Sequence, residues 1–207
     1  MTRTGMCALA RGMRGLAAAG ALGLSMVAAP AAADEFPTPK VGYTADTVTA
    51  VGEMQIVSTV WHQDGKERRE MTMSGEEQVV IVRPDTGRLY VFVPAQGMAM
   101  DMAYDPKVMG LGATELMAGL NPVADGREEV GGISTTRYRI DGTGPTGSRT
   151  NGLVWVSDDG IIVRMEGESE VDGTMTPTRM ETTNLETGDQ DAALFELPEG
   201  LQVMRLD

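Results

Sequence analysis

The chain has 207 residues, 42% of them hydrophobic, and a net charge of −13, enough for one domain with a real core. That charge disfavours nucleic acid and anionic lipid surfaces, both of which recruit Lys and Arg. One cysteine, Cys7, and one histidine, His62, exclude a disulfide framework, a CxxC redox pair and a zinc cluster.

Residues 1–14 carry Arg3, Arg11 and Arg14, and residues 15–29 form an apolar run that leads to Pro30-Ala31-Ala32-Ala33. A basic start, a short apolar stretch and a small-residue site predict a secretory signal peptide cut after Ala33. The run is shorter than the ~20 residues a membrane span needs. The expected product is a periplasmic, cysteine-free chain in which 34–41 is a flexible leader and 42–207 a single domain.

From Tyr43 onward short β-favouring runs alternate with turn residues. Strands are predicted near 42–50, 53–62, 66–73, 77–83, 87–93 and 97–103, then near 127–131, 133–141, 151–157, 160–168 and 174–186. Asp64-Gly65 and Pro84-Asp85-Thr86-Gly87 supply hairpin chemistry. In Asp105-Pro106 an N-cap precedes a first-turn proline, and Val108, Met109, Leu116, Met117 and Leu120 fall near helical spacing, so one or two short helices are expected over 105–120. Residues 191–195 are expected to add one helical turn.

The fold class expected is mainly β: an antiparallel unclosed or half barrel of about eleven strands, with short helices over its concave face. Residues two apart share a face. Met54, Ile56 and Val60 therefore point one way, as do Leu89, Val91 and Val93. Met98, Met100 and Met102 form a period-2 stripe, and Met71 and Met73 repeat it nearby. Sixteen methionines against nine aromatics suit a surface that re-packs around variable apolar partners. A weaker alternative is Cu(I) held by the M-x-M-x-M thioethers.

Catalysis is not expected, and no cofactor. His62 stands alone beside Gln63-Asp64-Gly65 and reads as an exposed turn residue, leaving no base for a Ser or Cys nucleophile. Neighbouring acids such as Glu128-Glu129 point to opposite faces of a strand and read as solvated rim. Arginines 68, 69, 83, 137, 139 and 164 read as cross-strand partners of acids. For Arg68 a sharper reading is a tie between sheet and helical lid.

Several motifs, taken together, resemble the periplasmic lipoprotein carrier superfamily (LolA/LolB-like), more narrowly its uncharacterised exported members. They are Gly65-Lys66-Glu67-Arg68-Arg69-Glu70, Ile81-Val82-Arg83-Pro84-Asp85, Leu89-Tyr90-Val91-Phe92-Val93-Pro94, Met98-Ala99-Met100-Asp101-Met102 and Ala193 to Leu201. Ala99 and Leu201 stand where that pattern has Tyr, and Asp101 where it has Glu. The resemblance implies an unclosed barrel with helices over its mouth and an apolar cavity for acyl chains, with Arg68 at the position of an arginine that gates the lid. The residues expected to line the cavity or lid are Met54, Ile56, Arg68, Met71, Ile81, Leu89, Val91, Met98, Met100, Met102, Val108 and Leu116. The expected partner is a lipid or acylated protein bound by a monomer. The alternative is an interaction or sensor module that binds another envelope protein.

Overall fold

The computed structural model describes residues 36–73, 75–105, 117, 119–144 and 147–206. Among these residues twelve strands form one unclosed sheet. They are β1 (Tyr43–Val51), β2 (Met54–Gln63), β3 (Lys66–Met73), β4 (Glu76–Arg83), β5 (Arg88–Val93), β6 (Met98–Ala103), β7 (Val123–Val130), β8 (Ile133–Thr143), β9 (Arg149–Ser157), β10 (Ile162–Val171), β11 (Thr174–Thr187) and β12 (Gln202–Leu206). Their order across the sheet is β12-β6-β5-β4-β3-β2-β1-β11-β10-β9-β8-β7. Two up-and-down meanders, β1 to β6 and β7 to β11, are therefore joined by antiparallel pairing of β1 with β11, which sets Tyr43 opposite Thr187.

The turns follow the residues. Between β2 and β3, Asp64 (φ 52°) and Gly65 (φ 78°) are both left-handed, as a two-residue hairpin that matches strand twist requires. Eleven of the strands coincide with sequence-predicted ones to within a few residues. The twelfth corrects the all-antiparallel expectation: β12 runs parallel to β6, with Met204 beside Met100. The predicted turn near 191–195 is a 3-10 turn, Ala192–Phe195, whose N-cap Asp191 accepts a hydrogen bond from the Ala193 amide. The helices predicted over 105–120 are not shown. Residues 106–116, with Val108, Met109 and Leu116, lie outside the described residues, as does the proposed signal peptide 1–33. At the end of that segment a turn closes from the Leu120 amide to the Met117 carbonyl at 3.1 Å.

Register and alternation assign two faces. On one, Met117 and Leu120 pack on Ile140, Val154, Val156 and Ile162, joined by Phe36, Tyr138, Met165 and Met180. On the other, the 3-10 turn drives Phe195 into Val79, Ile81, Phe92 and Ala99. Smaller clusters of Tyr43, Ala45, Val60 and Ile161 and of Val130, Trp155 and Val163 add to this cover. Among the described residues, no core cluster covers the first face along β6 and β12, where Met98, Met100 and Met204 stand exposed.

Residues 36–40, expected as part of a flexible arm, are anchored. Phe36 meets Tyr138 at 5.9 Å between ring centroids, and the Lys40 amide donates to the Asp159 carbonyl at 2.9 Å. Gly160 (φ 82°) admits this segment because a Cβ there would collide with the Thr38 carbonyl. The arginines of β7 to β11 that the sequence singled out pair with acids as expected: Arg137 with Glu128, Arg139 with Asp125, and Arg164 with Glu181.

Candidate functional site

The uncovered stretch is a groove of about 560 Å³ whose lining includes Val91, Val93, Met98, Met100, Gln202 and Met204. Its geometry follows from the ladder. Across β6, Met98 faces Val93 and Met100 faces Val91; on the other side Met98 lies beside Gln202 and Met100 beside Met204. Met98, Met100 and Met204 are 47%, 40% and 57% exposed, so their thioethers border the groove without being buried by it. Polar lining comes from the neutral amides of Gln78, Gln96 and Gln202. The volume lies within the range of small-molecule sites. Covering the exposed part of each methionine would contribute roughly 1 kcal/mol.

The opposite face holds this edge together. Asp101 is buried and ion-paired on both sides: Arg88 Nε donates to Oδ1 at 2.6 Å and Arg205 Nε to Oδ2 at 3.0 Å. Arg205 belongs to β12, so a buried carboxylate fixes the strand that forms one groove wall. Two more arginines clasp the 3-10 turn. Arg83 grips Asp85 through two hydrogen bonds of 2.9 Å and donates to the Phe195 carbonyl at 3.1 Å. Arg68 binds Glu70 Oε1 at 2.6 Å, donates to the Leu194 carbonyl at 3.1 Å, and lies 5.9 Å from the centre of the Phe92 ring. The Asp85 carboxyl is held below the ordinary carboxylate range, chiefly by its hydrogen bonds from Arg83.

The sequence-predicted site residues divide accordingly. Val91, Met98 and Met100 line the groove. Met54, Ile56, Met71, Leu89 and Met102 share that face by register but stand away from the groove lining, and Leu89 is buried. Arg68 and Ile81 are a correction: they lie opposite one another on the other face. Strand parity sets them there, so Arg68 ties down the C-terminal turn and Ile81 packs beneath it. Val108 and Leu116 lie outside the described residues. Gln202 and Met204 were missed, although Gln202, Met204 and Leu206 alternate with Val203 and Arg205 as a strand would.

His62 is a second correction. It is buried at 8% exposure and stacks on Tyr43 with centroids 5.2 Å apart, because hairpin pairing carries it inward opposite Tyr43 and Glu67. Burial, aided by the Glu67 charge, pushes the Tyr43 phenol well above its ordinary pKa of 10.0. An unfolded tyrosine ionises near that ordinary value while Tyr43 stays neutral in the fold. Stability should therefore be intact below pH 10 and erode as pH rises above it. Denaturant titrations at pH 9 and pH 11 should show a loss in the wild type that Tyr43→Phe reduces.

The geometry defines an unclosed, mostly antiparallel sheet with a groove at its edge. No family model matches the chain, and no curated protein does. Among solved structures it is similar to an uncharacterised conserved protein from Thermus thermophilus, at 9% identity and a TM-score of 0.55, covering 80% of this chain and 91% of that one. It is also similar to a chain of the Pseudomonas aeruginosa MucA/MucB complex, at 16% identity and a TM-score of 0.50, covering 81% of this chain and 59% of that one. A LolA superfamily protein from Nitrosomonas europaea is similar at 11% identity and a TM-score of 0.42, covering 80% of this chain and 94% of that one. At these identities the likeness to the first two is one of fold.

Proposed function

We propose that this chain is a periplasmic carrier or binding protein, exported by a cleaved signal peptide, that holds an acyl chain of a lipid or acylated protein in the methionine groove. The observation that carries this reading is the open groove itself, walled by Val91, Val93 and exposed thioethers, with no charged side chain among the described residues that line it. An acyl chain is apolar and conformationally variable, and methionine re-packs around such partners at little cost. Enclosure, not reaction, is the task proposed, by a monomer.

A dansylated fatty acid serves as the probe. Its fluorescence should rise on binding to the mature protein. Val91→Glu and Met100→Glu should each weaken binding at least tenfold, since a bound apolar tail would desolvate the new carboxylate. Met54→Glu, on the same face but outside the groove, should leave binding unchanged. Equal binding by all four proteins would overturn the assignment.

One observation favours a second reading, an envelope interaction module. All five residues of β12 are exposed, and among the described residues no further strand borders its outer edge, which is the arrangement an extended peptide uses to add a strand. The similar P. aeruginosa structure is of a MucA/MucB complex. Recovery of one stoichiometric protein partner and no lipid from envelope extracts would favour this reading over the carrier.

A further inference from the structure

We propose that Met98, Met100 and Met204 form a binding site for a soft monovalent metal ion, Cu(I), at the mouth of the groove. The inference stands on the thioethers and their register, independently of the acyl reading.

The third donor comes from the structure. The sequence stripe offers Met98 and Met100 on β6, and the parallel strand β12 places Met204 directly beside Met100. Neighbouring strands run about 4.8 Å apart, and Met98 stands two residues, roughly 6.7 Å, along β6 on the same face. Each methionine has three rotatable side-chain bonds, so the three sulfurs can converge on one ion with the backbone in place.

Packing alone does not account for these side chains. A core methionine of this protein, Met117, is 4% exposed, whereas Met98, Met100 and Met204 are 47%, 40% and 57% exposed. They stand in the open where two strands meet, bordered by the neutral amides of Gln96 and Gln202. Thioether sulfur is a soft ligand that selects Cu(I) over Zn(II), Ca(II) or Mg(II). Harder cations find no competing set: among the described residues no group of three or more His, Cys, Asp or Glu is placed to hold a metal.

The test uses the mature protein under anaerobic conditions, titrated with Ag(I) and with Cu(I) supplied from a bicinchoninate complex. One equivalent of each ion should be retained, with a sulfur-dominated shell by X-ray absorption. The M98L/M100L/M204L variant keeps apolar volume and removes every sulfur of the site. It should bind at least a hundredfold more weakly while retaining the wild-type melting curve. Met204→Leu alone should lose tenfold or more. The control M54L/M175L removes two other exposed methionines, 55% and 37% exposed, and should bind as the wild type does. The site is refuted by no retained ion, by undiminished binding in the triple variant, by loss in the control, or by equal retention of Zn(II). The dansylated fatty acid is measured in parallel. Failure of the wild type to bind it sinks the carrier reading and leaves the metal result standing.

Discussion

Phe195→Ala is expected to lower stability by about 3–5 kcal/mol, the usual range for truncating a fully buried aromatic. Phe195 is 1% exposed and fills the centre of the cluster made by Val79, Ile81, Phe92 and Ala99. Its backbone carbonyl is one of the two points at which arginines grip the 3-10 turn. Removing the ring leaves a void and loosens the segment that leads into β12, so the loss should exceed that from Leu194→Ala, whose side chain is only partly buried in the same cluster. Chemical denaturation followed by circular dichroism measures the difference. A loss below about 1 kcal/mol would mean that the turn does not seal this half of the sheet.

Asp101→Ala should have an effect of similar size by a different route. Asp101 is 3% exposed and is the shared partner of Arg88 and Arg205. Its removal strands the partly buried Arg88 guanidinium, and breaking a buried pair from one side costs about 3–5 kcal/mol. Arg205→Ala is the contrast. That side chain is 67% exposed, so its loss should cost no more than about 1 kcal/mol. Hydrogen exchange separates the consequences: the amides of Gln202–Leu206 should exchange faster in both variants, whereas those of β4 and β5 should change only in Asp101→Ala. Unchanged exchange at β12 in either variant would show that the ion pair does not hold the edge strand.

Much of this architecture was legible because hairpin strands announce themselves locally. Asp64-Gly65 fixes its turn, and alternation such as Met98-Ala99-Met100 fixes which residues share a face. Alternation does not say which of two faces is covered, or by what. Both faces of β4 and β5 are apolar, so Ile81 and Val91 read alike in sequence, yet one lies beneath Phe195 and the other borders the groove. Arg68 read as an inward tie to a helical lid, whereas its guanidinium donates to the Leu194 carbonyl of the C-terminal turn on the other face. The groove's second wall was missed because β12 pairs with β6 across about a hundred residues of chain, a contact that no short window contains. His62 was misread because its turn neighbours outweighed its register partner Tyr43.

The union of two meanders through β1 and β11 sets the order in which the chain can assemble. Within each meander every strand meets its sequence neighbour, so these hairpins close short loops and zip quickly. The weld from Tyr43 to Thr187 must span nearly the whole domain, and the entropy of that closure has no local contact to offset it. The kinetic barrier should therefore sit at the seam, with both half-sheets already formed and their inner edges still seeking each other.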